Sequence, residues 1–118
     1  MHTLRAPGGC PWDRQQTHAS LLKYIREETR EVCDAVRRKD WTNLKEELGD
    51  VLLQVLFHAE LASERGDFDV YEVVAGLKAK LIRRHPHVFG KDRGKKLSME
   101  DLNRRWNEIK AREKKGKK

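Results

Sequence analysis

Two short acidic segments carry the residues best suited to chemistry: Glu27-Glu28-Thr29-Arg30-Glu31 and Glu46-Glu47-Leu48-Gly49-Asp50. Glu28 and Glu31 are three residues apart, as are Glu47 and Asp50, so on helices each pair shares a face. Glu28 also interrupts an apolar seam, Leu21, Ile25, Val32 and Ala35, at a step where a core residue belongs. A carboxylate there costs several kcal/mol, roughly, unless it is paired or bound to a metal ion. A salt-bridged surface explains the quartet poorly, because Glu27/Glu31 and Glu46/Asp50 place like charges four residues apart. Four converging carboxylates call for a hard divalent cation with all-oxygen ligation, Mg²⁺ or Mn²⁺. A pair of such ions is suited to clamping the two oxygens of an in-line attack at phosphorus. A di-iron bundle would show Glu-x-x-His, which is absent from the sequence.

The elements that must position these groups are helices. A first helix is predicted over about Thr17–Arg38 with Thr17 as N-cap, and a second over about Thr42–Arg65, ended by Gly66. The midpoints of the two acidic pairs are symmetric about a turn near Lys39, so an αα-hairpin brings them side by side, roughly 14 Å from that turn at ~1.5 Å per residue. The later half of the second helix, VLLQVLFHAELA, is apolar almost all round and is expected to be the most buried element. A third helix begins at Asp69, with Glu72 as its capping-box partner, and stops near Arg84, before His85-Pro86. A fourth begins at Ser98 and carries Leu102, Trp106 and Ile109. The expectation is an all-α protomer of four main helices, bundle-like and completed by oligomerisation. Residues 1–16 read as a loop segment, 17–111 as a single helical domain, and 112–118 as a basic disordered tail.

Composition bounds the rest. Of 118 residues, 37% are apolar and 38% charged, which suits helices with one buried face and favours a second subunit covering apolar surface. The net charge of +7 conceals an asymmetry: residues 1–75 carry −4 and residues 76–118 carry +11. An acidic half for cations joined to a basic half for phosphates fits a metal–nucleotide site, and a solvated surface with a basic tail fits the charge count as well. Cys10 and Cys33 form no zinc or disulfide pattern, and Cys10 has no base placed to make it reactive. With no secretory h-region or membrane-length run, the chain reads as cytoplasmic.

On the predicted third helix, Lys80 and Arg84 are cofacial with Arg83 beside them, a phosphate-binding arrangement or an ordinary basic helix end. Trp106 and Lys110 are cofacial on the fourth. His58 reads as a core or interface residue, and His85 and His87 as loop residues. Trp12 and Asp13 read as a bundle-end cover and a turn cap, with substrate contact as the alternative.

The combination of GGCPWDRQQTH at 8–18, E-E-x-x-E at 27–31, E-E-L-G-D at 46–50, LIRRHPHVFG at 81–90 and Trp106-x-x-x-Lys110 resembles the MazG-type nucleoside triphosphate pyrophosphohydrolases, over about Leu4 to Glu113. The acidic motif is shared with related dUTP and phosphoribosyl-ATP hydrolases, whereas the CPWD and RRHPHVFG segments are specific to MazG. The resemblance implies Mg²⁺-dependent hydrolysis of (d)NTP to (d)NMP and diphosphate in a dimer or larger assembly. Glu28, Glu31, Glu47 and Asp50 would be the metal ligands. Lys80, Arg84 and Lys110 would serve the phosphates, with Arg83 beside them as a further candidate, and Trp106 would stack on or border the base. Metal-activated water, or water held by Glu27 or Glu46, would attack phosphorus. A narrow-specificity dUTP, dCTP or damaged-nucleotide hydrolase is the close alternative. A non-enzymatic nucleic-acid-binding protein is the distant one, and it has no use for a buried acidic quartet.

Overall fold

The computed structural model describes residues 1–116, and every regular element among them is helical: α1 (His2–Arg5), α2 (Pro11–Gln15), α3 (His18–Arg37), α4 (Trp41–Glu64), α5 (Val70–Arg84), α6 (Pro86–Phe89) and α7 (Met99–Gly116). The all-α expectation holds, and α3, α4, α5 and α7 are the four main helices. The chain divides between Val73 and Val74 into two units.

In the first unit, α3 and α4 form the predicted hairpin. Thr17 caps α3 through a reciprocal box with Ser20: the Ser20 amide donates to Thr17 Oγ1 (3.0 Å) and the Thr17 amide to Ser20 Oγ (2.8 Å). The turn is made by Lys39 in the left-handed region (φ 56°), with its amide donating to Val36 O and that of Asp40 to Ala35 O. Asp40 then starts α4 by accepting from the Asn43 amide. Leu21 on α3 packs with Phe57 and Leu61 on α4, and Met1 and Tyr24 border this cluster.

One expectation needs correction here. Residues 1–16 are not simply a loop: they fold into α1 and α2, turned over at Gly8 (φ 86°) and Gly9. At Gly9 a β-carbon would lie 2.3 Å from the Leu4 carbonyl oxygen, so only glycine admits this fold-back. The later half of α4 is the most buried element, as expected. It contributes Gln54, Phe57, Ala59, Leu61 and Ala62 to the interior, yet Leu52 on its other side is 56% exposed.

In the second unit, α5 ends at His85-Pro86 as predicted, and α6 begins at that proline. Ser98 caps α7 through the Asp101 amide (3.1 Å). The tail predicted as disordered from 112 is helical as far as Gly116; positions 117 and 118 lie outside the described residues. Lysine, arginine and glutamate are good helix formers, so charge alone does not end a helix. Glu113 further ties this stretch down by binding both Arg83 (2.6 Å) and Arg84 (2.7 Å).

Candidate metal centre and basic unit

The hairpin brings the acidic pairs together. One carboxylate oxygen from each of Glu28, Glu31, Glu47 and Asp50 can be chosen so that all four lie within 4.8 Å of one another. Glu28, Glu47 and Asp50 are half-buried and Glu31 is exposed. Glu28 Oε2 and Glu47 Oε2 are both buried without a hydrogen-bond partner. Buried acceptors are nearly always satisfied, so two orphans on facing helices mark a place prepared for a positive group.

The electrostatics agree. Burial first, then the charges of Glu31, Asp50 and Glu27, push the Glu28 carboxyl above its ordinary value. Glu47 is pushed up to about 7, chiefly by a hydrogen bond with Glu31, then by burial and the same acidic neighbours. Glu27 and Glu46, both exposed, stand outside the converging set.

In the second unit, the predicted phosphate binders differ in their commitments. Arg83 and Arg84 both clamp Glu113, whose carboxyl is pulled down to about 2, first by Arg84 and then against burial by Arg83. Arg84 also lies over the Trp106 ring at 4.9 Å, and His85 meets that ring edge-on. One face of the indole predicted to serve a base is therefore occupied by a guanidinium. Lys80 is half-buried on α5 and Lys110 exposed on α7, and neither makes an ion pair among the described residues. Arg83 lines a groove of about 740 Å³ with Lys91, Arg104, Arg105 and Arg112, where Asp92, Glu108 and Glu113 offset part of the charge. His85 turns its Nδ1 to the Leu81 carbonyl (2.6 Å), the local role expected of it.

Features hidden from sequence inspection join distant positions. Arg5, only 9% exposed, binds both carboxylate oxygens of Glu64 through Nε (2.6 Å) and Nη2 (2.9 Å). Its Nη1 donates to the carbonyls of Asp13 and Gln16. His18 and His58 approach Nδ1 to Nδ1 at 2.7 Å with their rings only 11° from parallel. Ring centres 4.9 Å apart at that separation mean an edge-to-edge hydrogen bond in one plane. Burial, then His18, lowers the affinity of His58 for a proton.

A model of the MazG nucleotide pyrophosphohydrolase domain matches residues 16–89. The chain belongs to the MazG family. It is 52% identical over its whole length to the Thermotoga maritima nucleoside triphosphate pyrophosphohydrolase/pyrophosphatase MazG, covering 44% of that protein. It is 49% identical over 114 residues to the Escherichia coli nucleoside triphosphate pyrophosphohydrolase, with 96% of this chain and 43% of that protein covered. The chain thus spans less than half the length of these MazG relatives. The crystal structure of a MazG-related protein from Thermotoga maritima superimposes with a TM-score of 0.73 at 31% identity, covering 88% of this chain and 89% of that one. The matched segment of the MazG domain holds α3, α4 and the whole carboxylate quartet.

Proposed function

We propose that this MazG chain is a Mg²⁺-dependent nucleoside triphosphate pyrophosphohydrolase, converting (d)NTP and water to (d)NMP and diphosphate. The observation that carries the reading is the convergence of four carboxylates with two buried, unpartnered oxygens. Their donor set is all oxygen and acidic, which fits Mg²⁺, with Mn²⁺ as a substitute. Glu28, Glu31, Glu47 and Asp50 would hold the ion. When bound, it supplies positive charge to phosphate oxygens and makes its water more acidic.

The protein's own groups do the rest. With the ion bound, the repulsion that raises the Glu47 carboxyl is offset, and Glu47 would serve as an ionised ligand. Glu27 and Glu46, exposed beside the quartet in sequence, are candidates for orienting the attacking water. Lys80, Arg83, Arg84 and Lys110 would bind phosphate oxygens, the arginines by their planar forks. Trp106 would border the nucleotide beneath Arg84.

A homodimer or larger assembly is part of the proposal. Leu48, Leu52 and Val55 form an exposed apolar stripe at helical spacing on α4, and such stripes are normally covered. No helix among the described residues is long and apolar enough to cross a membrane, and we place the protein in the cytoplasm.

A panel of NTPs and dNTPs with Mg²⁺, scored for diphosphate against orthophosphate, tests the reaction. Diphosphate release from several nucleotides supports it, and release confined to dUTP, dCTP or an oxidised nucleotide would narrow it. No turnover, together with salt-sensitive DNA binding, would replace it with a nucleic-acid-binding role.

A further inference from the structure

We infer that Trp12 is the platform for the nucleobase and sets affinity for the nucleoside part of the substrate. This rests on the nucleotide reading above and assigns a residue to it. The indole is 49% exposed, yet the segment that carries it is fixed at several points. Arg5, locked to Glu64, donates to the carbonyls of Asp13 and Gln16 on either side of the last turn of α2. The Gln16 amide Nε2 returns to the Trp12 carbonyl at 3.0 Å. Below the ring, Tyr24 and Phe57 meet it nearly perpendicularly, at 5.8 Å and 73° and at 6.4 Å and 83°. No ring among the described residues stacks parallel on the indole, so it is held rigid while half its surface faces solvent.

Its place in the hairpin gives this surface a purpose. Tyr24 lies one helical turn before Glu28 on α3, and Phe57 lies two turns beyond Asp50 on α4. Trp12 therefore crowns the same seam as the carboxylates, on the side away from the Lys39 turn, one to two turns along. A triphosphate held at the quartet extends its ribose along the seam and lays its base on the indole. Every base has a π-face, so stacking of this kind binds purines and pyrimidines alike. Trp106, by contrast, already carries the Arg84 guanidinium on one face.

The test compares Trp12→Leu, Trp12→Phe and Trp106→Leu in the full chain, on a nucleoside triphosphate and on deoxyribose 5-triphosphate, which has no base. Trp12→Leu should raise KM for the nucleotide about tenfold with kcat nearly unchanged, the scale of one lost stacking contact. Trp12→Phe should recover most of that loss, and both should treat deoxyribose triphosphate as the parent does. A separate chain with Trp41 and Trp106 replaced by Phe should show Trp12 fluorescence quenched by the nucleotide and not by the baseless compound. An unchanged KM in Trp12→Leu, equal losses on both substrates, or a loss only in Trp106→Leu would overturn the assignment. Failure of the parent chain to release diphosphate from any nucleotide would instead remove the underlying reading.

Discussion

Glu47 on α4 faces Glu31 on α3, with one carboxylate oxygen of each inside the 4.8 Å cluster, and this neighbour is the main reason its carboxyl is pushed up to about 7. The Glu47 proton is lost as the pH rises through about 7, leaving like charges facing each other across the hairpin. A carboxyl whose affinity for protons is raised on folding stabilises the protein fully below the unfolded value near 4.5, and that contribution disappears as the pH climbs through about 7. Thermal melts with a chelator should therefore show Glu47→Gln gaining on the parent between pH 5 and pH 8. Mg²⁺ should close or reverse the gap. A pH-independent difference would mean the groups are not coupled in this way.

Removing a quartet member should separate activity from folding. Glu28→Ala and Asp50→Ala are expected to lower turnover at least about a hundredfold, the scale of deleting one preorganised transition-state contact. Their helical circular dichroism should match the parent, because the surrounding hairpin core contains Leu21, Phe57 and Leu61 rather than the carboxylates. Full activity in either variant would sink the metal-site assignment.

Arg5 should matter more than its partner. Arg5→Ala removes the bidentate link to Glu64 and both carbonyl contacts at once, with an expected cost of about 2 kcal/mol in a denaturant titration. Glu64→Gln keeps the carbonyl contacts and one side-chain bond, and should cost less. Equal effects would show that the ion pair alone holds the N-terminal segment.

Lys39→Gly should stabilise the chain by about 0.5–1 kcal/mol, since lysine pays a steric penalty at φ 56° that glycine avoids. The midpoint of urea denaturation measures it. A loss of stability would mean that the lysine side chain contributes to the turn.

The four main helices were legible because each begins with a capping residue and ends at a turn, a glycine or a proline. The quartet was legible because Glu28 breaks an apolar seam and the acidic pairs mirror each other about the turn. The N-terminal segment was not. Helices of four and five residues are too short for periodicity to register, and the contact that organises them, Arg5 with Glu64, spans 59 positions. The burial of α4 was legible because VLLQVLFHAELA is apolar almost all round, although that pattern does not say what covers each face. The charged C-terminus misled because composition suits a solvated helix as well as a coil.

The turn at Lys39 acts as the origin of a ruler. Glu28 and Asp50 each stand eleven residues from it, and Glu31 and Glu47 each stand eight. One residue added to or removed from the turn would upset this equality, swinging one set of carboxylates about 100° around its helix. At its closed end the hairpin must keep count.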